Sequence, residues 1–148
     1  METLPDVTAT GADGRPLRLR DLPRPLVIYF YPKDDTPGCT REAQDFSALA
    51  GEFAAAGVSV LGVSRDDVAK HATFTAKHAL TVALASDLDG SVTEAFGVWG
   101  EKKLYGKTYM GIERATFLFG PDGALLRAWR KVKVPGHAEA VLAAARDA

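Results

Sequence analysis

Cysteine occurs once in 148 residues, at Cys39. A single thiol closes no internal disulfide, so the fold must be held by packing alone. Packing suffices at this length, where roughly two-thirds of the unfolded surface is buried on folding. An excess of either charge is also missing, since 18 Lys and Arg stand against 19 Asp and Glu, a net of −1. The two signs are mixed along the chain, which leaves no basic footprint for nucleic acid and no polybasic segment for an anionic membrane. No apolar run approaches the ~20 residues that a membrane-spanning helix needs. Met1 to Asp6 carry acids and a proline where a secretion signal would have a basic stretch and an apolar run. A free thiol without such a signal is expected in a reducing cytoplasm.

What is present is an alternation of strand-like and helix-like segments. Val7–Thr10 and Pro16–Leu19 flank Asp13-Gly14, a tight-turn pair, and predict an N-terminal hairpin. Leu26–Tyr31 is a continuous β-rich apolar run, suited to a strand buried on both faces. Phe46, Leu49 and Phe53 recur at helical spacing, so one helix is expected from about Thr40 to Ala56, stopped by Gly57. Val58–Val63 predicts a second buried strand, Asp67–His78 a helix, and Val82–Ala85 a short strand. Val92–Phe96 predicts one or two helical turns. Trp99–Gly111, with three glycines and several lysines, reads as irregular. Ala115–Phe119 and Ala124–Arg130 flank Gly120-Pro121-Asp122-Gly123, a strong hairpin signal, and an Ala-rich helix closes the chain from about Pro135 to Arg146. The order predicts one α/β domain over residues 1–148, with a parallel core sheet covered by helices and antiparallel strands added late.

The chemistry concentrates in Tyr31–Glu42, which leaves the carboxyl end of a buried strand and enters a helix. Ligands bind in that crevice in open α/β sheets. Cys39 falls in the helix's first turn, where unpaired N–H groups and the positive end of the dipole favour an anion. Thiols in general drop from about 8.5 to roughly 3.5–7.5 at such places, and the thiolate is the nucleophile. Gly38 allows close approach of the backbone, Pro32 and Pro37 stiffen the loop, and Thr36 can aim a hydroxyl at the same point. On residue types alone, an inert cysteine packed beneath a helix is an equal reading.

Phe30-Tyr31-Pro32, Thr36-Pro37-Gly38-Cys39-Thr40 and Glu42-Ala43 resemble the active-site signature of peroxiredoxins, a Pro-x-x-x-Thr-x-x-Cys pattern. The Thr-Pro-Gly-Cys-Thr form is similar to the peroxiredoxin Q, or bacterioferritin comigratory protein, subgroup. The resemblance continues through Val60–Ser64, Leu84–Asp87, Phe96–Lys102 and Arg114–Leu118. It implies a thioredoxin-like fold with a central mixed sheet and thiol-dependent reduction of hydrogen peroxide or organic hydroperoxides. It implies Cys39 as the peroxidatic cysteine, Thr36 and Arg114 as groups that stabilise thiolate and peroxide, Pro32 as a shield, and Glu42 as the carboxylate that holds the arginine. On types alone Arg114 reads as an exposed strand arginine. It also implies a monomer and no cofactor or metal.

One departure shapes the expected mechanism. Relatives often carry a resolving cysteine five residues after the first, here Gln44, or on the following helix, for example at Thr75. Neither position is cysteine. A sulfenic acid on Cys39 must then be reduced by an outside thiol such as thioredoxin, a glutaredoxin or glutathione. The competing expectation is a peroxide sensor on the same fold with little turnover.

The other candidates read as structural. His71 and His78 lack a third metal ligand and suggest a solvated helix face. Asp87, Asp89 and Gly90 match a capping turn better than a calcium loop. Lys102, Lys103 and Lys107 read as a solvated loop, at most a rim that attracts anions. Trp99 reads as core by type, and as a pocket wall through its resemblance to a family segment near the active site.

Overall fold

In the computed structural model, which describes residues 1–148, β3 (Leu26–Phe30) is the central element because its alternate side chains enter two different cores. Val27 and Tyr29 join Tyr31 on one face; Leu26, Ile28 and Phe30 point to the other. All five strand residues are buried, as expected for an apolar run covered on both sides. β3 pairs in parallel with β4 (Ser59–Ser64), which pairs in parallel with β5 (Ala83–Ser86). On its other edge β3 pairs antiparallel with β8 (Ala115–Phe119), which pairs with β9 (Leu125–Trp129). The N-terminal hairpin of β1 (Thr8–Thr10) and β2 (Pro16–Arg18) extends the sheet beside β5, giving the order β2-β1-β5-β4-β3-β8-β9.

The first core packs α1 (Pro37–Ala48), α2 (Ala50–Ala55), α3 (Val68–His78) and α5 (His137–Ala145) against one face, through Phe46, Phe53, Phe74, Val141 and Leu142. The second seats α4 (Ser91–Ala95) and Phe96 against Phe30, Phe117 and Phe119 on the opposite face. Gly62 lets these layers close. A Cβ there would come within 3 Å of the Tyr29 ring and of Leu84, so glycine is what admits the tyrosine. Tyr29 in turn stacks on Phe46 at 4.5 Å, which fixes α1 on β3.

Two expectations need correction. The single helix over 40–56 is two, because Leu49 leaves helical geometry (φ −96°, ψ 4°) between α1 and α2. The segment read as irregular is a hairpin, β6 (Trp99–Leu104) paired with β7 (Lys107–Ile112). Its turn places Tyr105 and Gly106 both at positive φ, the twist that suits a two-residue hairpin. The hairpin stands apart from the main sheet and is largely exposed, so it lacks the apolar alternation that announces a half-buried strand.

Candidate active site

Thr36 is the N-cap of α1, with Pro37 in the first turn, where its missing N–H costs nothing. Cys39 and Glu42 lie one turn apart on the buried side of the helix. Arg114 comes from the residue before β8, the antiparallel neighbour of β3, and reaches back across the end of the sheet. Its Nη2 donates to Cys39 Sγ at 3.3 Å and its Nη1 donates to Glu42 Oε1 at 2.7 Å. One guanidinium therefore bridges the sulfur and the carboxylate through two of its nitrogens, using the fixed fork geometry that lysine lacks.

Burial sets the electrostatics of this cluster. Cys39 and Glu42 are each only 1% exposed. Burial pushes the Glu42 carboxyl up to about 7, against the pull of Arg114. Burial works against the charge on Arg114 too, but Glu42 and the Cys39 sulfur outweigh it and hold the guanidinium above its ordinary value. A cation kept ionised beside a nearly buried sulfur is arranged to meet negative charge there.

The other expected residues fall around this core. Gly38 does admit a close approach, but of Arg114: a Cβ at Gly38 would stand 3.1 Å from Nη2. Thr36 is not bonded to the sulfur; its hydroxyl donates to the Lys33 carbonyl at 2.9 Å and shapes the loop before the helix. Pro32 lines a cavity of about 430 Å³ together with Lys33, Arg65, Trp99, Lys102 and Tyr109. Trp99 thus lies in a cavity wall while also packing against the second core, with the Arg65 guanidinium stacked 3.4 Å above its ring. A second cavity of about 450 Å³, apolar and lined by Phe53, Val58 and Val82, sits toward the other end of β3 and touches none of these groups.

Two readings of the polar residues change. His71 is buried, not solvated: Nδ1 meets Asp34 and Nε2 meets the Ala85 carbonyl at 3.0 Å. It shares its helix face with Phe74, and that apolar neighbour at i+3 was the available signal. Lys102, expected in a solvated loop with Lys103 and Lys107, is half-buried while those two are exposed. Asp87 behaves as read, accepting from the Val92 and Thr93 N–H groups at the start of α4. The positions where a resolving cysteine could stand are an exposed Gln44 on α1 and a half-buried Thr75 on α3.

Comparisons with known proteins identify the family and the fold. The AhpC/TSA family model matches residues 1–128. The peroxiredoxin Bcp of Xanthomonas campestris is 59% identical over 119 residues, covering 80% of this chain and 74% of that protein. The peroxiredoxin Bcp of Bacillus subtilis is 45% identical over 144 residues, covering 97% of this chain and 92% of its own length. A solved structure of the Xanthomonas campestris bacterioferritin comigratory protein, described for its alkyl peroxide reduction activity, superposes with a TM-score of 0.89 at 51% identity, over 96% of this chain and 91% of that one.

Proposed function

We propose, from the premise that this chain belongs to the AhpC/TSA family and is a peroxiredoxin with the thioredoxin-like fold, a residue-level mechanism in which Cys39 is the sole redox centre. The Cys39 thiolate attacks the terminal oxygen of a hydroperoxide. The O–O bond breaks, the sulfur becomes a sulfenic acid, and the departing alkoxide or hydroxide takes a proton to leave as alcohol or water. Arg114 stabilises the sulfur before attack and the developing oxyanion during it. Glu42 positions Arg114, Pro32 and Pro37 limit the approach of water, and Thr36 orients the peroxide once its hydroxyl turns from Lys33. An outside thiol then condenses with the sulfenic acid, releasing water, and a second thiol frees Cys39 from the mixed disulfide. The same reading has a single-domain monomer working in a reducing compartment, where such thiols are at hand.

The observation that carries this mechanism is the Arg114 bridge between Cys39 Sγ and Glu42. Peroxide consumption with an excess of thiol tests it. Cys39→Ser is expected to abolish turnover and the uptake of one oxygen seen by intact mass. Turnover equal to that of the unmodified chain would overturn the assignment.

A further inference from the structure

We propose that the cavity beside Pro32 is a carboxylate-binding subsite for a small anionic thiol that regenerates Cys39. In this assignment Arg65 and Lys102 are the principal cations, Lys33 is the rim cation and Trp99 is the apolar wall. The inference rests on the peroxidase reading and names the class of reductant that reading leaves open.

The cations are fixed in place before any ligand arrives. Arg65 donates Nε and Nη2 to Thr93 Oγ1 at 3.1 and 2.9 Å and stacks on Trp99. Gly90 makes room for it: a Cβ there would fall 2.6 Å from Nη2. The Lys102 stem lies along Gly111, where a Cβ would stand 3.1 Å from its Cδ, so a second glycine seats a second cation. Both glycines serve charged side chains on the wall of one cavity.

These charges have no carboxylate in direct contact. Neither Arg65, Lys102 nor Lys33 forms an ion pair with a carboxylate. The acid on the cavity wall, Asp66, is taken by Lys70 at 3.0 Å, by the Ser64 hydroxyl and by the Asp34 N–H. A cavity with unpaired cations and one aromatic wall favours an anion with some apolar body. Burial and the nearby Arg114 hold the Lys102 ammonium below its ordinary range, while the Cys39 sulfur pulls the other way. Pro32 and Lys33 on the cavity wall belong to the segment between β3 and α1 that leads into Cys39, which places the subsite beside the reacting residue's own loop. The step is Cys39–SOH plus R–SH giving Cys39–S–S–R and water, after which a second R–SH gives Cys39–SH and R–S–S–R.

The test uses the full chain oxidised with one equivalent of hydrogen peroxide, and follows loss of the sulfenic acid by intact mass. Glutathione is compared with its diethyl ester, rates being corrected for thiolate fraction. Glutathione is expected to react about tenfold faster or more, the worth of one charge-assisted contact. Lys102→Met should bring the ratio toward unity, Lys102→Arg should restore it, and raised salt should shrink it. The exposed hairpin carries Lys102, so this variant folds even if Arg65→Met, which removes the Trp99 stack, does not. Equal rates for acid and ester, or a ratio unmoved in Lys102→Met, would overturn the subsite. Normal sulfenic acid formation with equal rates sinks the subsite alone, whereas no sulfenic acid at all sinks the peroxidase reading and the subsite with it.

Discussion

Two buried ionic clusters flank the segment between β3 and α1, and they are wired differently. In the first, Asp34 accepts from the Tyr31 hydroxyl at 2.7 Å and meets His71, whose other nitrogen is bound to the Ala85 carbonyl. The Asp34 N–H donates to Asp66. Both ring nitrogens of His71 and both carboxylate oxygens of Asp34 have partners, so every polar atom of the pair is bonded. In the second cluster, Arg114 divides itself between Cys39 and Glu42, and Glu42 Oε2 is buried without a partner. A closed network resists change and holds the loop to α3. An open one, with a cation shared by a nucleophile, retains capacity for a reacting group. Burial alone does not separate structure from chemistry in these two clusters; unspent bonding capacity does.

The largest expected effect belongs to the closed cluster. His71→Leu leaves Asp34 buried without its partner and should cost about 3–5 kcal/mol of stability. The double change Asp34→Leu with His71→Leu should recover much of that loss, since apolar replacement of a buried pair is often neutral. Urea unfolding measures both. A single variant as stable as the parent would mean that this cluster does not hold the loop.

Removing the shared cation should act on rate instead. Arg114→Ala is expected to lower kcat/KM for hydrogen peroxide about 10²–10³-fold, the usual loss for a preorganised charge donor. Arg114→Lys should recover only part of it, because a point charge cannot bridge two partners as a fork does. Alkylation of Cys39 by iodoacetamide near neutral pH should slow in parallel. Unchanged alkylation and turnover in Arg114→Ala would make the arginine structural and collapse the contrast between the clusters.

Glu42 sharpens the comparison through pH. Its folded acid is raised to about 7 from an ordinary 4.5, by burial. The folded state thus binds a proton that the unfolded state releases between those values. Its contribution to stability is fully present below about 4.5 and is lost as pH rises through about 7, an effect on the order of 3 kcal/mol at most. Glu42→Gln should flatten that part of the stability–pH curve and lower turnover about tenfold by loosening Arg114. A curve identical to the parent's would show that Glu42 keeps an ordinary carboxyl.

How much of this was readable beforehand depended on sequence separation. The Leu26–Tyr31 strand, the helix start at Cys39 and the 120–123 turn each announce themselves within a few residues. The Asp34–His71 pair does not, since its members lie 37 positions apart and meet only once α3 packs on the loop. Arg114 lies 75 positions from Cys39 and was legible through family resemblance, not through any local pattern. The exposed β6–β7 hairpin lacks an apolar face, so periodicity was silent there, and with it the partial burial of Lys102. Arg65 carried no signal at all, because its stack on Trp99 is made by the fold.

The smallest expected effect tests Thr36, the one expected site residue whose hydroxyl the structure turns elsewhere. It donates to the Lys33 carbonyl and so helps set the loop that presents Cys39. Losing a hydrogen bond of this kind costs about 1 kcal/mol, and Thr36→Val should show that loss in urea unfolding. If the hydroxyl also swings to the bound peroxide, kcat/KM should fall more than this structural loss explains, up to about tenfold for one neutral hydrogen bond. Thr36→Ser separates the two roles because it keeps the hydroxyl while changing the packing. A serine variant with parental kinetics beside a slow valine variant would place the hydroxyl on the reacting oxygen. A valine variant that loses stability but not rate would confine Thr36 to the loop, and leave Arg114 with the backbone of α1 to manage the charge alone.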